Sequence, residues 1–232
     1  AYTRAWIPYT ATFLVFSDYM RPSMRVGAIS HLQALYIFTH DSFWVGEDGP
    51  THEPIEHVMS LRMIPHMHVF RPADGAEVAM CYYAALQRKN GPSSLIFSRQ
   101  NVPVLSRAPG WSPDEVLHGG YILRDCKEPS LLLVATGSEV GIALEAAALL
   151  DAEGRSIRVI SMPCVELFRA QSEAYRARVL PKGVKTVVVE AGTTVGWSSL
   201  LERDVLAIGI DHYGASAPGE ILAEKFGFTA AA

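Results

Sequence analysis

The sequence predicts an α/β protein whose parallel sheets are covered by helices on both faces. Short runs of apolar, β-branched and aromatic residues alternate with longer segments that have the period of a helix. The strand-like runs are continuously apolar, which is typical of strands buried on both faces of a parallel sheet. Because strands and helices alternate along the chain, we predict an α/β architecture.

Six strands and four helices follow from these patterns. The predicted strands are residues 34–39, 68–71, 94–98, 131–135, 157–160 and 184–189. The predicted helices are residues 54–63, 76–89, 139–152 and 171–179. Residues 103–125 contain three prolines and three glycines without sustained periodicity, which indicates a connection between domains. We therefore predict two domains, residues 1–110 and 111–232, with three strands in the first.

The composition limits the possible partners. The 232 residues carry a net charge of −4, so overall charge does not favour nucleic acid or an anionic membrane. Cys81, Cys126 and Cys164 are far apart, which predicts reduced thiols rather than a disulfide or zinc site. No apolar run approaches the roughly 20 residues of a membrane span, and no signal peptide opens the chain. We expect a cytoplasmic protein without nucleic-acid or membrane partners.

The segment HDSFWVGEDGPTH, residues 40–52, concentrates titratable side chains directly after an apolar strand. Ligands of open parallel sheets bind outside the carboxyl ends of the strands, so this segment would face a crevice. Histidine exchanges protons near neutral pH, and carboxylates can orient it or bind sugar hydroxyls. Small-molecule binding or acid–base chemistry is the favoured interpretation. A solvated connection and a metal site are the alternatives, although His52 and His57 are poorly spaced for metal binding from one helix face.

Several sequence blocks together resemble transketolase, a thiamine-diphosphate enzyme. The blocks are TFLVFSDYMRPSMR, THDSFWVGEDGPTHEPIEH, RPADGAEV, SRQNVP, LLLVATGSEV and GIDHYGASAPGEILAEKFGFT. They occur in the family order and cover nearly the whole chain. The resemblance implies that the first domain is an incomplete thiamine-diphosphate-binding (pyrimidine) domain, and that the second is a transketolase C-terminal-like domain.

The resemblance also implies roles for seven residues. Phe13, Phe16 and Tyr19 match the aromatic pocket for the cofactor's aminopyrimidine, and their spacing of three suits one side of a helical turn. The substrate-binding positions are His40, Asp48, His52 and Arg99. Without the family, the aromatic residues would be interpreted as part of a core and the arginine as a surface group.

Within that group the implied tasks differ. His40 resembles a phosphate-binding histidine, and Asp48 resembles the carboxylate that contacts a substrate hydroxyl. His52 resembles the catalytic histidine near the reacting carbons. Arg99 resembles the arginine that grips the sugar phosphate, for which the forked guanidinium is well suited. No metal ligand is predicted in this chain.

The implied activity is transfer of a two-carbon ketol unit from a ketose phosphate to an aldose phosphate. Thiamine diphosphate is the implied cofactor, with Mg²⁺ held by a domain absent from this chain. No GDG motif occurs in the sequence, and no glutamate matches the one that activates the cofactor. We therefore expect a fragment or subunit that is inactive alone, and a homodimer or a missing N-terminal domain as its partner.

Other functions remain open at this point. Dihydroxyacetone synthase and 1-deoxyxylulose-5-phosphate synthase are related thiamine-diphosphate enzymes, and the isolated chain could be a non-catalytic binding or regulatory module. Two local expectations concern packing. Phe43 and Trp44 stand where the family often has smaller residues and would lie near the cofactor entrance, and Ser138 would cap the helix that follows it.

Overall fold

The computed structural model describes residues 1–3 and 5–231, which contain two β-sheets in succession along the chain. The four strands of the first sheet are Tyr9–Phe13 (β1), Leu35–Thr39 (β2), His68–Phe70 (β3) and Ser93–Ile96 (β4). They pair in the order β1-β2-β4-β3, and every pair is parallel. The carboxyl ends of all four strands therefore meet at one edge of the sheet.

Three α-helices connect these strands: Ser17–Ile29 (α1), His57–Arg62 (α2) and Gly75–Gln87 (α3). Asp74 caps α3, because its side chain accepts a hydrogen bond from the Glu77 backbone amide at 3.1 Å. Buried side chains of α1 and α2, including Met24 and Leu61, form one hydrophobic cluster with Phe38 of β2. This packing fixes the helices on the sheet and leaves its carboxyl edge for the loops.

The second sheet contains four parallel strands and one antiparallel strand at its edge. Its strands are Tyr121–Arg124 (β5), Leu131–Ala135 (β6), Ile157–Ser161 (β7), Lys185–Val189 (β8) and Leu206–Ile208 (β9). They pair in the order β5-β7-β6-β8-β9, with β5 antiparallel to β7. The accompanying helices are Glu139–Ala152 (α4), Val165–Arg169 (α5), Glu173–Val179 (α6), Trp197–Leu201 (α7) and Gly219–Lys225 (α8).

The two sheets share one hydrophobic core. A single cluster of buried residues includes Phe70 and Leu95 from the first sheet and Tyr121 and Leu133 from the second. Burial of apolar surface stabilises association by about 25 cal/mol per Å². A contact made by fully buried aromatic and aliphatic side chains therefore holds the two sheets firmly together.

The predicted α/β class with parallel and mixed sheets is confirmed, but three strands are absent from the sequence prediction. The missed strands are β1, β5 and β9. Strand β1 is mostly exposed and contains two threonines, and β9 has only three residues, so neither forms a buried apolar run. Because β1 joins the sheet, the first sheet has four strands, and the expectation of three is wrong.

Two local predictions are also corrected. Phe13 ends β1, Phe16 lies in the 3₁₀ turn Leu14–Phe16, and Tyr19 lies in α1, so they do not share one helical turn. The backbone stays extended at Phe13 (φ −68°, ψ 147°), which delays the helix. Ser138 precedes α4 without capping it, because its hydroxyl donates to Glu139 Oε1 at 2.7 Å instead.

No helix in the described part of the chain is long and apolar enough to cross a membrane. Cys81 and Cys164 are buried thiols, and Cys126 is a half-buried thiol.

Candidate active site

The adjacent strands β2 and β4 both end at the carboxyl edge of the first sheet, and the candidate site residues follow them there. His40 follows β2, and Arg99 lies three residues beyond β4. His40 has a φ of 60°, in the left-handed region that few non-glycine residues adopt. Such strain persists only where the surroundings enforce it and is concentrated at functional sites. The first sheet therefore brings a strained histidine and an exposed guanidinium to the same edge.

Aromatic rings form a continuous row along this edge. The Phe13 ring stacks on His40, with 3.6 Å between centroids and 18° between planes. Phe13 also stacks on Phe16 at 6.1 Å, and Phe16 lies 6.1 Å from Tyr19. His52 meets Phe16 edge-on at 5.6 Å. The aromatic residues predicted to bind the cofactor thus contact His40 and His52, two of the residues predicted to bind the substrate.

This row has ring surface available to a ligand. Tyr19 is 84% exposed, whereas Phe13 and Phe16 are half-buried. Partly exposed rings spaced at about stacking distance can hold a planar heteroaromatic group by offset stacking and apolar enclosure. The half-buried members are fixed by their neighbours and would change little on binding.

His40 lies among charges of both signs. Burial lowers the pKa of His40, and the Arg99 cation lowers it further, while Asp48 and Asp41 partly oppose the shift. The lowered pKa keeps the imidazole mostly neutral at pH 7, so the fixed positive charge at this edge is that of Arg99. These charge interactions also show that Arg99 and Asp48 are near His40.

The histidine loop, defined as residues 40–52, needs glycine at two turns. Gly46 has φ 78° and ψ −119°, and Gly49 has φ 77°, conformations that side chains with a Cβ rarely adopt. The turn at Gly49 accepts a hydrogen bond from the His52 amide at 2.9 Å. His52 Nδ1 lies 2.9 Å from Thr51 Oγ1, so Nε2 is the ring nitrogen that remains available to a ligand.

A buried ionic network lies behind the histidine loop and crosses between the sheets. Arg71 directly follows β3 and is fully buried. Its Nε and Nη2 atoms donate to Asp41 Oδ2 at 3.0 and 2.7 Å, and Nη1 donates to Thr136 Oγ1 at 2.9 Å. Nη1 also pairs with Glu139. Burial alone would lower the pKa of Arg71, but the Glu139 and Asp41 carboxylates raise it above its usual value, so Arg71 stays charged.

A second buried arginine makes a parallel contact. Arg62 donates from both Nη atoms to the two Glu190 oxygens at 2.7 Å each, and Thr136 Oγ1 donates to Glu190 Oε2 at 2.6 Å. Burial opposes ionisation of Glu190, but Arg62 lowers its pKa below the usual value. Sequence reasoning missed both arginines. The only signal for them was a charged residue at the end of an apolar strand or helix.

Glu53, next to His52, is a buried carboxyl group with a strongly raised pKa. It is 2% exposed, and among the described residues neither carboxylate oxygen makes a hydrogen bond. Burial raises the pKa of Glu53 to about 7, and the nearby Ala215 backbone amide only partly opposes this shift. Sequence reasoning assigned this residue no role. It is a buried acid whose protonation changes near neutral pH.

Phe43 and Trp44, the two bulky residues of the histidine loop, pack against residues near the end of the chain. Phe43 is fully buried, with its ring centroid 5.6 Å from that of Phe226 and 5.3 Å from that of Phe228. Trp44 stacks on Phe43 at 5.4 Å. Both rings lie in the 3₁₀ segment Phe43–Asp48 and contact the second domain, and their place near a cofactor entrance stays a prediction.

One group of possible metal ligands occurs in the described part of the chain, formed by Asp18, Glu56 and His57. His57 Nε2 lies 3.2 Å from Asp18 Oδ2, so these two residues already pair with each other. Asp18 and Glu56 are exposed. Mg²⁺ prefers oxygen ligands, and an imidazole in the set does not suit it.

Comparison with known proteins identifies both parts of the chain. Residues 1–104 match the family model described as transketolase, pyrimidine binding domain. Residues 119–229 match the model described as transketolase-like TK C-terminal domain. The chromosomal transketolase of Cupriavidus necator is 51% identical over 225 residues, which are 97% of this chain and 33% of the relative. The transketolase of Aquifex aeolicus is 46% identical over 231 residues, 99% of this chain and 34% of the relative.

Solved structures agree with these matches. The transketolase from Leishmania mexicana superposes with a TM-score of 0.91 at 44% identity, covering 97% of this chain and 32% of that one. A split gene transketolase described as an inactive beta4 tetramer gives a TM-score of 0.75 at 27% identity, covering 99% of this chain and 74% of that one. The chain spans about a third of the length of the curated relatives. With both its domains matched, the chain belongs to the transketolase family.

Proposed function

We propose that this chain supplies the pyrimidine-binding and C-terminal domains of a transketolase, divided at residues 110 and 111. The complete protein transfers a two-carbon ketol unit from a ketose phosphate to an aldose phosphate with thiamine diphosphate. This proposal rests on the contact between the aromatic row and the two histidines. Phe13 stacks on His40, and the Phe16 ring meets His52 edge-on. A planar cofactor and a sugar phosphate would bind side by side there.

The aromatic row fits the aminopyrimidine ring of thiamine diphosphate. Phe16 has a stacking neighbour on one side in Phe13 and lies beside the exposed ring of Tyr19 on the other. These three residues would hold the ring in an apolar environment and orient it toward His52. When bound, thiamine diphosphate supplies the carbanion chemistry of the reaction, while the protein positions the reactants and excludes water.

The residues described here do not fit the diphosphate and its Mg²⁺. The candidate ligand group of Asp18, Glu56 and His57 includes an imidazole and is already internally paired. We therefore assign Mg²⁺ and diphosphate binding to another part of the complete protein or to a partner subunit. The split gene transketolase described as an inactive beta4 tetramer supports this arrangement.

The substrate would lie between the histidine loop and the end of β4. Arg99 donates a bidentate pair of hydrogen bonds to the sugar phosphate. His40, mostly neutral because of its lowered pKa, adds a neutral hydrogen bond to the same phosphate. Asp48 accepts a hydrogen bond from a sugar hydroxyl. His52 Nε2 binds the substrate oxygen and assists proton transfer at that oxygen. The complete protein is a cytoplasmic homodimer of the pentose phosphate pathway in this proposal.

A donor and acceptor assay tests this function. The chain would be assayed alone and after complementation with the N-terminal portion of a transketolase, using thiamine diphosphate, Mg²⁺ and a ketose phosphate. We expect transfer to an aldose phosphate only in the complemented sample. Saturable, magnesium-dependent binding of the cofactor by the chain alone would contradict the proposal.

The same assay separates the related enzymes. Preference for formaldehyde as the acceptor would indicate dihydroxyacetone synthase, and use of pyruvate as the donor would indicate 1-deoxyxylulose-5-phosphate synthase. Either result would replace the proposed reaction within the same cofactor class.

A further inference from the structure

The histidine loop lies against a segment from the far end of the chain. This segment, here called the clamp segment, comprises residues 214–228 and includes α8. Ser216 Oγ donates a hydrogen bond to the Glu47 carbonyl oxygen at 2.6 Å. That bond links residues 169 positions apart in the sequence. It holds the backbone immediately before Asp48, the proposed hydroxyl-binding residue.

Glycines on both sides allow the two backbones to approach closely. A Cβ at Gly49 would lie 3.2 Å from Ser216 Cβ, and one at Gly46 would lie 3.3 Å from the Ala217 carbonyl oxygen. A Cβ at Gly219 would lie only 2.7 Å from Trp44 Cε3, closer than such atoms approach. The clamp segment thus packs directly on the turns of the loop, with no room for an added methyl group at Gly219.

The contacts continue to both ends of the loop in order. Phe43 packs against Phe226 and Phe228 of the clamp segment. Beyond the other end, Glu53 lies against Gly214, where an added Cβ would overlap the Glu53 Oε2 atom. Asp41 is held by Arg71, which is itself bound to Thr136 and Glu139 of the second domain. The second domain therefore contacts the loop from Phe43 to Gly49 and contacts Glu53 just beyond it.

The histidine loop contains little regular secondary structure that could maintain its conformation. Its short 3₁₀ segment is interrupted at Gly46, and glycine-rich turns have high conformational entropy when unsupported. Catalytic groups must be held within about half an ångström of their productive positions. Support from a rigid neighbour is needed to achieve this.

We propose that the clamp segment is a positioning element for catalysis, holding Asp48 and His52 in place although it contributes no group to the reaction. This inference rests on the proposed function of those two residues. It gives the C-terminal domain a duty at the active site, because the Ser216 hydroxyl and the small size of Gly219 fix the path of the loop.

Hydrogen exchange of the chain itself tests the contact without any activity. In Ser216→Ala, we expect amides of residues 43–52 to exchange about 3- to 10-fold faster, as expected for loss of one hydrogen bond. The Gly49 and His52 amides report directly on the conformation of the loop, because they donate hydrogen bonds to the Gly46 and Gly49 carbonyl oxygens. Ser130→Ala is the matched control, since Ser130 Oγ makes a similar bond to the Ser156 carbonyl oxygen away from the loop.

A second variant adds volume instead of removing a bond. Gly219→Ala would push Trp44 and accelerate exchange in the same loop. Gly75→Ala is its control, because Gly75 also begins a helix but has open space around it. In the complemented enzyme, Ser216→Ala and Gly219→Ala should lower kcat/KM for the sugar phosphate by about 3- to 10-fold, with unchanged cofactor affinity.

The outcomes separate the two proposals. Loop exchange no faster than in the Ser130→Ala and Gly75→Ala controls would overturn the positioning role, whatever the activity. Faster loop exchange with unchanged kcat/KM for the sugar phosphate would also overturn it. A complemented protein with no ketol transfer would refute the proposed function separately, because the exchange comparison does not depend on turnover.

Discussion

The imidazole of His40 stacks face to face on the ring of Phe13, with 3.6 Å between ring centroids. Phe13 ends β1 and His40 follows β2, which pairs with β1 in parallel register. The contact is therefore a direct result of strand order, since adjacent parallel strands deliver their next residues to the same edge. It joins the aromatic row to the histidine loop.

This stacking predicts a measurable change in the titration of His40. The pKa of His40 lies below 6.5 because of burial and the Arg99 cation. Phe13→Ala should expose the imidazole and raise its pKa, and Arg99→Ala should raise it by removing a repulsive charge. NMR titration of the labelled chain measures both effects. Tyr9→Ala on the exposed part of β1 is the control, and a wild-type pKa at or above 6.5 would contradict this account.

Arg99→Ala is predicted to discriminate between substrates. In the complemented enzyme it should raise KM for a phosphorylated donor by about 10- to 100-fold, because a charge-assisted bidentate pair is lost. An unphosphorylated donor such as hydroxypyruvate should be affected little. Arg155→Ala, which removes an exposed arginine of the second domain, is the control. An equal increase of KM for both donors would contradict the assignment of Arg99 to phosphate binding.

His52→Ala is predicted to act on turnover. General acid–base catalysis contributes about 10²- to 10⁴-fold, so kcat should fall within that range. Cofactor affinity should change less, because His52 meets the aromatic row only through its contact with Phe16. Steady-state kinetics and cofactor titration separate the two effects. His118→Ala, whose imidazole stacks on Tyr175 in the second domain, should leave both unchanged; unaltered kcat in His52→Ala would exclude a catalytic role.

Glu53 predicts a pH dependence of stability. Its pKa is raised from 4.5 in the unfolded chain to about 7 in the folded protein, so the folded state holds the proton more tightly. Stability should then decrease as the pH rises from 4.5 through 7. Glu53→Gln, which imitates the protonated acid, should be more stable than wild type by about 3 kcal/mol at pH 8 and nearly equal to it at pH 4.

Denaturant unfolding at several pH values measures this difference. Glu145→Gln is the matched control, because the same change is made on an exposed position of α4. A Glu53→Gln stability gain that does not vary with pH would contradict a buried ionisable carboxyl group.

Much of the fold was predictable because buried strands have a strong pattern. Leu35–Thr39 and Leu131–Ala135 are apolar runs between turns, and both are strands as predicted. Strand β1 lacks this apolar pattern, since Tyr9 is exposed. The pairing of β1 with β2 depends on tertiary contacts. Short or exposed strands take their structure from the sheet that they join.

The site was predictable only in part, for a related reason. Strand ends mark where His40 and Arg99 lie, and a parallel sheet brings such ends together. The bond from Ser216 to Glu47 and the ion pair of Arg62 with Glu190 join positions 169 and 128 residues apart. No local pattern encodes such distances, so the support behind the loop became visible only in three dimensions.

The buried guanidinium of Arg71 has a consequence for dissecting this protein. It binds Asp41 of its own half and Thr136 and Glu139 of the other half, so a cut between the two halves would separate the ionised arginine from Glu139 and Thr136. Breaking a buried pair typically costs about 3 to 5 kcal/mol, comparable to the whole stability of many domains. Neither half is expected to fold when it is expressed by itself. In the intact chain, heat or denaturant should unfold both halves in a single cooperative transition.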